Sequence, residues 1–307
     1  MGASFGLRAR CRAGKDAAMM TPSPSRRRLL LGLSGLWTSR LALAQGQNST
    51  RVQIVPEVTR EKPARWPQIR EGYFKGREIS EAAAGVIALQ TPTRADDAAV
   101  VPVSVRALMP QTPERYIRKI YLVIDNNPSP VGAVFTFTPR SGQADIETRV
   151  RVEEYTQVRA IAELNNGQLV MDTRFLKASG GCSAPAGKDA EQALANLGRM
   201  RLRVDGPALA GQPVQAQLMV SHPNISGLAI DQLTRLAPAP RFVRHIEVSY
   251  NGNPVMSAEV DFTLSENPNL RFHFVPDQEG ELQARVTDTE DASFKAQTPV
   301  KLGAAAG

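Results

Sequence analysis

The chain has 307 residues, of which 42% are apolar and 22% charged. That length allows two ordinary domains or one large one, and that composition supports packed cores rather than wholesale disorder. No run of eighteen apolar residues occurs, which excludes a membrane-spanning helix. Two cysteines far apart in sequence and three histidines argue against a disulfide scaffold or a zinc site.

The formal net charge of +7 is unevenly placed. Residues 1–44 carry eight bases and one acid, which leaves 29 of each sign in the remainder. The body of the protein is therefore neutral and offers no clustered cationic surface of the kind that nucleic acid needs. The basic leader has its own logic. Arg26-Arg27-Arg28 opens a short apolar run from Leu29 to Trp37, and Ala42-Leu43-Ala44 offers small residues for cleavage before Gln45. This is the pattern of an export signal over residues 1–44, and the twin arginines followed by leucine point to the twin-arginine route and a periplasmic mature chain. Cleavage would remove Cys11 and leave Cys182 as the lone cysteine of an oxidising compartment.

Residues 45–64 read as a loose polar lead. A short helix is expected over Trp66–Phe74 and a helical turn over Glu78–Ala84. Period-two patterning then predicts strands at Val86–Leu89, Val100–Val105, Lys119–Ile124, Ala133–Phe137, Ile146–Val152, Gln157–Glu163 and Leu169–Phe175. Pro102 marks an edge or a strand start. In the sixth strand Val158 and Ile161 fall out of phase. Residues 177–189 are small and flexible in composition, and Ala190–Arg201 reads as a helix with Ala193, Leu194, Leu197 and Met200 on one stripe. Six further strands are expected at Val214–Val220, Phe242–Tyr250, Pro254–Val260, Leu270–Val275, Glu281–Thr287 and Ser293–Val300, with Asn251-Gly252 as a hairpin turn. The fold class is all-β: two immunoglobulin-like β-sandwiches, over 70–176 and 203–302, joined by a flexible Cys-bearing linker with a short helix over 177–202.

Cys182 is the sharpest chemical feature. Gly180 and Gly181 precede it and Ser183-Ala184-Pro185 follow, so the sequence predicts an exposed, reachable thiol on a pliable segment. Lys177 and Lys188 are nearby cations able to favour its thiolate, though both read rather as solvated side chains. A hydrolytic nucleophile would need a paired base. His245 and His273 sit at alternating strand positions and read as strand-face residues, while His222 begins a loop after a strand, so no dyad assembles. Glu153-Glu154 and Asp96-Asp97 read as solvated strand ends and turns. The Gly-rich stretch has neither Walker nor dinucleotide spacing, and no metal or cofactor signature is present.

Several ordered motifs resemble the SoxYZ sulfur-carrier family. Val220-Ser221-His222-Pro223-Asn224-Ile225-Ser226-Gly227-Leu228 is similar to the opening S-H-P-x-x-x-G loop of SoxZ. Phe242-Val243 through Tyr250-Asn251-Gly252-Asn253-Pro254-Val255 resembles its hairpin, and Ser265–Phe272 the strand start that follows. Ala99–Val103 and Asn127-Pro128-Ser129-Pro130 resemble SoxY, and Gly180-Gly181-Cys182 its carrier motif. The resemblance implies immunoglobulin-like halves and a non-catalytic carrier that holds oxidised-sulfur intermediates on Cys182. It leaves Ser221, His222 and Pro223 as an expected partner-contact loop. Two features depart from the family pattern: the halves are fused, and Ser-Ala-Pro follows the cysteine. The fused form is most similar to the SoxYZ-like carriers associated with quinoprotein dehydrogenases. Implied partners are periplasmic redox enzymes, either a c-type cytochrome or a quinoprotein dehydrogenase system, and a Cys182-linked dimer is a further expectation. An adaptor or assembly module for such a dehydrogenase is the competing reading, and a thiol-dependent peroxidase a third.

Overall fold

The computed structural model describes residues 64–303, apart from 82, 84, 185–189 and 231–233. The export signal at 1–44 and Lys188 lie outside the described residues. Among those described, no helix is long and apolar enough to cross a membrane.

The chain opens with helix α1 (Trp66–Phe74), started by Pro67 in its first turn and ended by Lys75 in the left-handed region. Strands follow in order: β1 (Ile79–Ser80), β2 (Ile87–Gln90), β3 (Val101–Ala107), β4 (Ile117–Ile124), β5 (Val131–Phe137), β6 (Ile146–Val150), β7 (Thr156–Leu164) and β8 (Leu169–Leu176). Helix α2 (Ala190–Ala195) then leads to β9 (Met200–Asp205), β10 (Val214–Val220), β11 (Val243–Tyr250), β12 (Asn253–Val260), β13 (Asn269–Phe274), β14 (Gly280–Asp288) and β15 (Ser293–Val300).

The all-β expectation holds, and the halves meet more intimately than two beads on a linker. One sheet of nine strands runs β1-β8-β7-β4-β5-β12-β11-β14-β15, and the other, of six, runs β2-β3-β6-β13-β10-β9. Both cross from the first half of the chain to the second. The larger crosses at β5 and β12, in register from Met256↔Phe137 to Val260↔Ala133. The smaller crosses at β6 and β13, through Arg271↔Glu147. Buried side chains from both halves, such as Phe135 and Val158 with Phe272 and Leu282, form one continuous core between the sheets. The joint is thus backbone hydrogen bonding over shared apolar burial, the two interactions that make a sheet interior.

Local differences from the sequence reading have physical causes. Residues 79–80 are a short strand parallel to β8 rather than a helical turn. The phase break in β7 arises because α1 covers the far side of the larger sheet. Ile161 packs there with Ile69, Phe74 and Met171, while Val158, Ala160 and Ala162 face the main core. Pro102 is a strand start: β2 pairs with β3 only from Ser104 to Ala107, so no ladder bond is lost at Pro102. Asn251 and Gly252 both take positive φ, 48° and 77°, as the tight hairpin between β11 and β12 requires. The helix expected to Arg201 stops at Ala195, because Gly198 sits at φ 78° and Met200–Asp205 pairs with β10 as a strand.

Candidate functional site: a thiol clamped at the seam

Cys182 is a free thiol, and it is fully buried. This corrects the expectation of an exposed one. The glycines before it do not loosen the segment but let it lie against the first half. Gly180 N–H donates to the Glu153 carbonyl at 2.8 Å and Gly181 N–H to the Val152 carbonyl at 2.9 Å. A Cβ on Gly181 would stand 2.0 Å from the Ala98 carbonyl oxygen, so only glycine permits this approach. Gly180, at φ 82° with open space around it, supplies the turn into that contact.

Glu153 closes the clamp. Its carboxylate accepts from Cys182 N–H (2.9 Å), Ser183 N–H (3.1 Å) and Ser183 Oγ (2.7 Å). It is therefore not the solvated strand end that its Glu-Glu context suggests. From the second half, Ser226 Oγ donates to the Cys182 carbonyl at 2.7 Å. The segment carrying the thiol is gripped from both halves.

Beneath it lies Arg151, which is buried. One guanidinium nitrogen donates to the carbonyls of Asn224 (2.7 Å), Phe262 (2.9 Å) and Leu264 (3.0 Å), all in the second half. Asn127 orients this stretch by donating to the Arg151 carbonyl (2.8 Å) and accepting from Glu153 N–H (2.9 Å). The short motifs of the two halves thus converge here, as Ala98 and Ala99, Asn127, Arg151 to Glu153, Asn224 to Ser226, and Ser265, whose Oγ donates to the Ala99 carbonyl at 2.7 Å.

Electrostatics follow from that packing. Burial pushes the Cys182 thiol up to about 12; the Glu153 and Asp261 carboxylates add to the rise and Arg151 opposes it. The neighbouring cation is Arg151, not Lys177. Burial lowers the Arg151 guanidinium, countered by the charges of Cys182 and Glu266. At neutral pH the clamped sulfur is a protonated thiol and a poor nucleophile.

The Ser221-His222-Pro223 loop is also corrected. His222 and Pro223 are buried, and Ser221 is bonded through its backbone to Gly198 and Arg199. His222 Nδ1 accepts from Asn224 N–H at 3.0 Å, and Nε2 faces Asp288 at 3.5 Å. Within the fold His222 braces Asn224, while Ser221 stays partly exposed. His245, between Glu247 and Glu259, and His273, on the outer face of β13, are strand-face residues as expected. Arg151, Glu153 and Ser226 were missed by sequence reasoning. Ser226 lay within the S-H-P-x-x-x-G loop, but Arg151 and Glu153 gave no signal, because a charge beside a strand end looks solvated until the opposing half is in place.

These features define a class: an all-β protein of two strand-bonded halves that encloses a single thiol at their junction. Residues 70–182 match the family model of the sulfur oxidation protein SoxY, and residues 201–299 match that of the sulphur oxidation protein SoxZ. The chain belongs to the fused SoxY–SoxZ carrier family. Proteins of this family act in sulfur oxidation as carriers and adaptors rather than as catalysts. Cys182 is the last residue of the SoxY match.

Among solved structures, the sulfur carrier protein SoxY from Chlorobium limicola f thiosulfatophilum is similar at 23% identity, over 37% of this chain and 91% of that one, with a TM-score of 0.31. A superoxide reductase (neelaredoxin) from Ignicoccus hospitalis matches at 20% identity over 38% and 90%, with a TM-score of 0.27. The fibronectin(III)-like modules of Clostridium thermocellum CbhA match at 8% identity over 71% and 94%, with a TM-score of 0.22. No curated protein matches the chain.

Proposed function

We propose that this protein is a periplasmic carrier that holds a sulfur-containing intermediate covalently on Cys182 and presents it to partner redox enzymes. The observation that carries this reading is the tandem SoxY and SoxZ match, with the SoxY segment ending on the one free thiol that the described residues contain. The leader at 1–44 supports export by the twin-arginine route. The implied partners are a c-type cytochrome or a quinoprotein dehydrogenase system.

The clamp sets a condition on the chemistry. Residues 180–183 must leave the seam before the sulfur reacts, exchanging their bonds to Val152, Glu153 and Ser226 for water. Once hydrated the thiol returns toward its ordinary range and supplies thiolate. The thiolate then attacks one sulfur of a donor's S–S bond. A new S–S bond forms at Cys182, the donor's other sulfur leaves as thiolate, and no net oxidation occurs. A Cys182-linked dimer requires the same release. Intact mass of protein isolated from the periplasm tests the reading. Sulfur-containing adducts that vanish in Cys182→Ser are expected, and an unmodified mass under every growth condition overturns it.

Burial of the sulfur favours a second reading, in which the chain is an adaptor for a periplasmic quinoprotein dehydrogenase and the thiol serves packing. Under that reading Cys182→Ser leaves complex formation and dehydrogenase activity intact.

A further inference from the structure

The outer face of the six-stranded sheet carries a cleft of about 500 Å³ across the seam, away from the core. That volume lies within the range of small-ligand sites. Its walls are Pro92 and Pro102, and its floor is Ser104 on β3, Glu147 and Arg149 on β6, and Arg271 on β13. Ser104 and Arg271 both stand opposite Glu147 in register, so the three share one row across the sheet. The two halves of the chain each supply part of the floor.

The charges do not cancel. Arg106 bonds Asp145 at 3.0 Å and Glu147 at 2.5 Å, so both carboxylates already hold a guanidinium. Arg271 stands 3.7 Å from Glu147, too long for a hydrogen bond. Arg149 is exposed and makes no ion pair among the described residues. Three arginines thus face two acids. Surplus guanidinium in a concave cleft is an arrangement that an oxygen-bearing anion would complete.

We propose that this cleft binds a small oxyanion, held by the planar guanidinium groups of Arg149 and Arg271. The site is separate from the thiol and does not rest on the carrier reading. Arg149 lies three residues before Val152, roughly 10 Å along an extended chain from the clamped segment.

The test uses the full mature chain carrying Cys182→Ser, so that failure of the carrier reading leaves this result untouched. Sulfate and acetate are titrated separately at constant ionic strength against chloride, and amide NMR shifts are followed. Saturable shifts centred on Ser104, Arg149 and Arg271 with at least one anion are expected, and the preferred anion distinguishes tetrahedral from planar recognition. Affinity should fall about tenfold in Arg149→Gln and in Arg271→Gln, and remain unchanged in Arg203→Gln, whose guanidinium pairs with Asp205 elsewhere on this face. If a Gln variant fails to fold, the Lys variant replaces it, since Lys keeps the charge but loses the planar fork. Linear shifts spread over the whole face, or binding indifferent to Arg149 and Arg271, overturn the proposal.

Discussion

Glu153 is the residue on which access to the thiol turns. It accepts two backbone N–H groups and one hydroxyl from the segment it holds, and bonds to a charged group are the stronger kind. Glu153→Ala should raise the labelling rate of Cys182 by an uncharged disulfide reagent at pH 7.5 at least tenfold, while the urea midpoint of the whole protein changes little. Gly181→Ala should also speed labelling, because its methyl group meets the Ala98 carbonyl. The pH dependence has a definite sign. The clamped thiol sits near 12 against an ordinary value of 9.0, so the clamped state binds the proton more tightly than the released one. The clamp is at full strength below pH 9 and weakens as pH rises from 9 toward 12, by about 1.4 kcal/mol per unit at most. Labelling rates should therefore climb above pH 9 more steeply than thiolate formation in a free cysteine.

At the scale of elements, the end of β6 is the critical joint. Arg151 satisfies three carbonyls of the opposite half from a buried position. Removing it leaves those acceptors to find other partners, and Arg151→Leu should cost about 3 kcal/mol or more in urea unfolding. The brace behind it responds to acid. Burial lowers the His222 imidazole from 6.5, with Asp288 opposing in part. Burial alone would raise Asp288, but the bonds from Arg241 and from the Ala292 and Glu290 backbone hold it below the usual carboxylate range. A histidine kept neutral in the fold contributes fully above pH 6.5, and that contribution is lost as pH falls toward its depressed value. The urea midpoint should drop between pH 7 and pH 5, and by less in His222→Gln.

Much of this level was legible in the sequence, and particular elements show why the rest was not. The Asn251-Gly252 hairpin and the helix at Trp66–Phe74 were readable because turn chemistry and a proline start are local. Strand β9 was hidden because Met200–Asp205 alternates charge with apolar residues next to a helical stripe, and only pairing with β10 decides between them. Cys182 was found by its glycines, but its burial was not. Gly-Gly serves close packing as readily as looseness, and the choice rests on Ala98, 84 residues before the thiol.

At the scale of the molecule, two halves that share sheets and a core should unfold together. Calorimetry is expected to give one transition whose calorimetric and van't Hoff enthalpies agree. Two separate transitions would mean that the β5–β12 and β6–β13 pairings are weaker than their registers imply.

Those pairings carry one more consequence. A first half made alone would leave the rim of β5 bare, and a second half alone the rim of β12. Unsatisfied rims recruit strangers and start aggregates. Joining both halves in one polypeptide places the matching rim at hand from the moment of synthesis. Solubility during biogenesis, as much as any later encounter, then gives a reason for the fusion.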